Sequence, residues 1–132
     1  MSELKDIQVL EDVKVMVDEF YGKIRKDELL GPIFENIIQD RWPEHLEKMY
    51  SFWQTILLEE RTYSGRPFVP HMNLPVEQKH FDRWLFLFSE TVDELYSGQK
   101  AITAKLQGKR MAEMFLLKIN YFRENKQQTP LM

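Results

Sequence analysis

The chain contains no cysteine. That excludes disulfides, thiolate metal sites, iron–sulfur clusters and a haem attached through Cys-x-x-Cys-His. It also leaves nothing that calls for an oxidising compartment. Histidine is scarce, at three copies, so each can be weighed by itself. Five glycines and six prolines in 132 residues are too few for a disordered or fibrous chain. No apolar run approaches the roughly 18 residues needed to span a bilayer. The polar start, Met1-Ser-Glu-Leu-Lys-Asp6, has no apolar signal core. Net charge is −3 and no long block carries one sign, so there is no electrostatic footprint for nucleic acid or an acidic membrane. A glycine-rich phosphate loop, a nucleophile elbow and a Ser–His–Asp order are all missing. These absences lead to the expectation of a cytoplasmic protein with neither nucleic-acid nor membrane partners.

What is present is apolar and ring-rich: 43% hydrophobic residues, with nine Phe, five Tyr and three Trp. Ile7, Leu10, Val13, Met16, Val17, Phe20, Tyr21 and Ile24 recur at spacings of three and four. That is the period of an amphipathic helix running to about Lys26, with Asp6 or Asp12 as its cap. Gly31-Pro32 breaks the pattern and starts a short turn whose Ile33 and Phe34 pack inward. Pro43 suits the first turn of the next helix, which carries Leu46, Met49, Tyr50, Trp53, Ile56 and Leu57 on one stripe. A fourth helix is expected from Asn73 and Pro75 to Ser97-Gly98, and a fifth from about 100 to 122. The fifth turns Met111, Met114, Phe115, Ile119 and Phe122 inward. No alternating strand pattern, repeat or second domain is visible. The expectation is an all-α single domain over residues 1–132, with a polar, frayed tail at 123–132.

The stretch between the third and fourth helices, Tyr63-Ser-Gly-Arg-Pro-Phe-Val-Pro-His71-Met-Asn-Leu-Pro75, carries the chemistry. A lone histidine near an apolar face is more often structural than a ligand. His71 differs because Pro67 and Pro70 remove backbone freedom just before it. A haem iron needs one neutral imidazole held rigidly, its other ring nitrogen donating to a nearby carbonyl. His45 lies one helix earlier on the inward side of its helix start, where it either faces His71 across a slot or sits partly in solvent. His80 forms one Glu-x-x-His pair with Glu77. A di-iron bundle needs two such pairs and two more Glu, so a solvated surface histidine is the expectation there.

Phe20-Tyr21, Leu30-Gly-Pro-Ile-Phe34, Trp42-Pro-Glu-His45, Phe52-Trp53, Gly65-Arg-Pro67, His71-Met-Asn-Leu-Pro75 and His80-Phe-Asp-Arg-Trp84-Leu follow one another in order. Together they resemble the group III truncated haemoglobins over about Val13 to Phe122, and the missing Gly-Gly pairs agree. The resemblance implies a globin-like, truncated two-over-two helical sandwich holding a b-type haem. By position it makes His71 the proximal iron ligand and Tyr21, His45 and Trp84 the distal polar residues. It gives Phe34 as a wedge against the haem, and Met49, Phe52 and Trp53 as the lining of the distal helix. Lys48, Tyr63 and Arg66 are its candidates for the propionates. It also implies a very short proximal helix before His71.

A diatomic ligand that gains negative charge on binding is stabilised by donors aimed at it, by about 1.5–3 kcal/mol for a good hydrogen bond to a charged group. Tyr21 O–H and Trp84 N–H are such donors. The resulting expectation is a monomer that binds O2, NO and CO and releases O2 slowly. That suits O2 or NO chemistry, including nitric oxide dioxygenase or peroxidase-like activity, or scavenging, more than delivery. Turnover would need a separate reductase, since no flavin or nicotinamide motif exists here. The competing reading is a haem-based sensor or a haem-free helical interaction module, in which the rings of Tyr21 and Trp84 are ordinary core.

Overall fold

The computed structural model describes residues 3–128. Five α-helices appear in the order α1 Leu10–Lys26, α2 Gly31–Ile38, α3 Trp42–Leu57, α4 Gln78–Leu95 and α5 Gln99–Gln128, with one 3-10 turn at Val69–His71. No β-strand occurs among the described residues. α1 packs on α3 and α4 packs on α5, while α1 also crosses α4 and α3 touches α5. The two pairs form the two-over-two sandwich.

The core follows the apolar stripes. Val13, Met16, Val17, Phe20, Tyr21 and Ile24 of α1 are buried, as are Phe52, Trp53 and Leu57 of α3 and Leu87, Phe88 and Val92 of α4. Trp53, Phe88 and Trp84 stack with ring centroids 5.0 and 5.3 Å apart and interplanar angles of 19° and 11°. α5 reaches this stack because position 108 has no side chain. A Cβ at Gly108 would lie 3.1 Å from the Phe88 ring and 3.5 Å from Trp84. Gly31 serves α2 in the same way, since a Cβ there would lie 2.9 Å from the Arg25 carbonyl oxygen.

Several boundaries differ from the sequence reading, each for a local reason. Asp12 caps α1 from inside its first turn, accepting from the N–H groups of Gln8 at 2.9 Å and Val9 at 3.1 Å. Asp6 caps α5 instead, accepting from Lys100 N–H and Ala101 N–H, both at 3.0 Å. α2 is a helix of eight residues rather than a turn. α4 begins at Gln78, not at Asn73 or Pro75, because His80 caps it: Nδ1 of His80 accepts from the Glu77 N–H at 2.9 Å. His80 is therefore 9% exposed and structural, not the solvated histidine expected. α5 runs on to Gln128, so residues 123–128 of the tail expected to fray are helical, and 129–132 lie outside the described residues. Arg123 ties this end down, donating to the carbonyls of Leu74 at 2.9 Å and Val76 at 2.7 Å. Met114 and Phe122, expected inward, are exposed.

A buried carboxylate fixes the α1–α2 corner. Asp27 accepts from Leu30 N–H at 3.0 Å and Leu29 N–H at 3.1 Å, and pairs with Arg83 of α4 at 2.6 Å. Burial alone would raise its pKa, but these donors outweigh burial and hold it below 3.8. A depressed carboxylate contributes stability that is complete above its unfolded pKa and is lost as pH falls through the folded one. Asp27→Asn is expected to cost roughly 1–3 kcal/mol at neutral pH. Arg83 is half exposed, so solvent screens its share and the two N–H bonds dominate. Urea midpoints measured against pH should converge for the two proteins once the pH lies well under 3.8. A gap that persists there would contradict this assignment.

Candidate functional site

Between α3 and α4 the chain makes only turns, and these place His71. Val69 N–H bonds to Arg66 C=O at 3.1 Å and His71 N–H to Phe68 C=O at 2.8 Å. Pro70 lies inside the 3-10 turn, where its fixed φ suits the geometry. The helical segment that carries His71 is this one 3-10 turn, Val69–His71. His71 Nδ1 lies 2.7 Å from the Pro67 carbonyl oxygen. A carbonyl only accepts, so Nδ1 carries the proton and the Nε2 lone pair is left for a metal. Burial lowers the His71 pKa, and the Pro67 carbonyl only partly opposes it, so the ring is neutral at pH 7. Phe115 of α5 backs the imidazole at 4.7 Å between ring centroids.

A second cluster forms where α1, α2 and α3 meet. The Tyr21 ring lies 5.0 Å from His45, 5.9 Å from Trp42 and 6.0 Å from Phe34. Tyr21 is 7% exposed. Its hydroxyl has no hydrogen-bond partner among the described residues, and burial raises its pKa well above 10.0. His45 Nε2 is buried and likewise unpartnered. Burial first, then the charges of His71 and Lys48, push the His45 pKa down to about 4. The two imidazoles are thus both neutral at pH 7 and close enough to repel if charged.

The other candidates fall into three places. Phe52 and Trp53 are buried in the core and Met49 is half-buried beside them. Tyr63 packs edge-on against Phe52 at 5.3 Å. Lys48 and Arg66 are exposed, and neither side chain has a hydrogen-bond or ion-pair partner among the described residues. Trp84 is half-buried but does not touch Tyr21. Phe20 is in ring contact with both, 4.9 Å from Tyr21 and 5.2 Å from Trp84. Its indole N–H is also unpartnered among the described residues.

Sequence reading placed Trp42 and Phe115 on inward faces or in motifs without giving either a part in the site. Trp42 is 6% exposed, lies 5.6 Å from His45 and is covered by Arg25 at 4.5 Å. Sequence reading named it only as part of the Trp42-Pro-Glu-His45 motif; its burial and its contact with His45 need the fold.

The donor set fits a haem. Among the described residues no three of His, Asp or Glu converge as a free metal ion would require. One anchored imidazole with a free lone pair suits a metal already held in a macrocycle. The buried, unpartnered Nε2 of His45 and the unpartnered hydroxyl of Tyr21 are polar groups that a bound ligand would satisfy. No helix among the described residues is long and apolar enough to cross a membrane.

The chain is similar to known globins in both sequence and structure. Residues 6–117 match the family described as bacterial-like globin. The chain is 41% identical over 93 residues, 67% of its length, to the group 3 truncated hemoglobin ctb of Campylobacter jejuni, covering 73% of that protein. It also superposes on the crystal structure of the group III truncated hemoglobin from Campylobacter jejuni with a TM-score of 0.80 and 33% identity. That match covers 89% of this chain and 95% of the other.

Proposed function

This chain belongs to the bacterial-like globins as a group III truncated haemoglobin, and on that footing we propose that it holds a b-type haem through His71 and binds O2, NO and CO beside Tyr21 and His45, releasing O2 slowly. Haem-based binding of diatomic gases is what the family implies. The observation that carries the finer reading is the bond from His71 Nδ1–H to the Pro67 carbonyl, which fixes ring and tautomer so that Nε2 presents its lone pair.

The iron supplies the point at which the gas binds and electrons are exchanged. The chain's own residues shape everything around it. In this reading Phe34, Met49, Phe52 and Trp53 wall the ring system with apolar surface. Lys48, Tyr63 and Arg66 offer free cations and a phenol to the propionates at the edge. Tyr21 O–H is a desolvated donor whose bond to a negatively charged ligand gains from its dry surroundings. His45, neutral and unpartnered, either donates to the ligand or moves aside to admit it. Trp84, in ring contact with Phe20, offers a further N–H donor. The same residues support nitric oxide dioxygenase or peroxidase-like turnover in the cytoplasm, fed by a separate reductase. A haem-free interaction module is the weaker reading, since it gives no reason to bury the unpartnered Nε2 of His45 in a fold that also holds a pre-oriented imidazole.

The test is a pair of measurements on the haem-loaded protein: stopped-flow O2 release, and NO consumption by the oxygenated form. Slow release with rapid, stoichiometric NO consumption is expected. Fast release with NO merely bound and not consumed would contradict a role in O2 and NO chemistry.

A further inference from the structure

α5 is apolar on two opposite faces. Ala101, Ala104, Ala112, Phe115 and Ile119 are buried and mark the side turned to the core. At 3.6 residues per turn the far side carries Ile102, Leu106, Leu117 and Tyr121. These are 55%, 43%, 71% and 61% exposed. Scattered surface apolars need no explanation, but two exposed apolar pairs aligned on one side of one long helix do.

The stripe has an order that says what covers it. Ile102, Leu106, Arg110, Glu113, Leu117 and Tyr121 follow one another at intervals of four, four, three, four and four. That sequence of intervals is its own mirror image about the point between Met111 and Ala112. Two copies of α5 laid antiparallel about that point would set Ile102 against the partner subunit's Tyr121 and Leu106 against the partner subunit's Leu117. Arg110 would face the partner subunit's Glu113, and the reverse. Arg110 and Glu113 are both exposed, and neither has an ion pair within the chain among the described residues. The apolar pairs match in kind and the charges match in sign, and each contact occurs twice, as an isologous two-fold contact requires.

Shape agrees with pattern. A groove of about 330 Å³ between α4 and α5 is lined by Leu85, Ser89, Ile102, Lys105, Leu106 and Lys109. The same register brings the partner subunit's Leu117 and Tyr121, the two most exposed members of the stripe, over Leu106 and Ile102 at this groove. Each subunit thus offers a socket at one end of the stripe and knobs at the other.

We propose that the protein forms a closed two-fold dimer through the outer face of α5, in place of the monomer expected from the sequence. The inference rests on this surface alone and not on the haem. A contact about 28 Å long, on one helix and one groove, belongs to the small class of interfaces, so the dimer should dissociate on dilution.

Sedimentation equilibrium of the full chain over a concentration series tests it. Wild type should move from 16.0 kDa toward twice that mass as concentration rises. Leu117→Glu should stay at 16.0 kDa with unchanged thermal melting, since the side chain is mostly in solvent. Arg110→Glu and Glu113→Arg should each weaken the dimer by roughly tenfold, and the double exchange should restore it. Wild type at single-chain mass up to about 1 mM would overturn the proposal. So would a dimer that Leu117→Glu leaves intact, or a charge exchange that fails to rescue.

Discussion

His71→Ala is expected to lose haem. The Soret band of the purified variant should fall to a small fraction of wild type, and added imidazole should restore part of it. Loss of even an outer partner of a metal-binding histidine costs roughly 10–100-fold in metal affinity. Removing the ligand itself should cost more. The expectation is specific because the ring is held by more than packing. Pro67 and Pro70 stiffen the turn, the Pro67 carbonyl accepts from Nδ1–H at 2.7 Å, and Phe115 closes the back. His80→Ala is the matching control. It removes the acceptor that caps α4 at Glu77 N–H, so it should lower the melting temperature while leaving the ligand spectra in place. If His71→Ala kept wild-type spectra with CO, His71 would not be the ligand.

Tyr21→Phe should speed O2 release by about tenfold or more, since a hydrogen bond to a charged acceptor is worth about 1.5–3 kcal/mol and each 1.4 kcal/mol is a factor of ten. Trp84→Phe is expected to act in the same direction. The structure ranks the two: Tyr21 is in ring contact with His45, whereas the ring contacts of Trp84 are with Phe20 and Phe88. Tyr21→Phe should therefore have the larger effect. Release rates within a factor of two of wild type in both variants, read by stopped flow, would remove the polar-pocket account.

Much of this site was legible in the sequence because it is written in local terms. Two prolines before one histidine state a stiff turn, and the turn is there. The three-and-four spacing of Phe20, Tyr21, Trp53 and Leu57 states the buried faces. What the spacing could not state is which side chain meets a partner far along the chain. Asp6 looks like a cap for the helix beside it, yet its carboxylate closes the start of α5. Asp27 looks like one more surface acid until Arg83 of α4 folds against it. His80 reads as solvated because its neighbours are charged, but the cap it makes buries it. The end of α5 went unread for the same reason. Residues 123–128 are polar and look loose, while Arg123 holds two carbonyls of the loop after His71. Phe115 was visible as an inward ring and Trp42 only as part of a motif, and their contacts with His71 and His45 exist only once α5 and α3 are in place.

The central claim is a haem held by His71 with an accessible opposite face, and an absorption spectrum of the purified protein in its ferric, ferrous and CO-bound forms tests it most directly. A strong Soret band that shifts sharply when CO is added to the ferrous protein is the predicted result. A spectrum with no Soret band, even after haemin is supplied, would contradict the claim and leave the globin fold here as a helical scaffold.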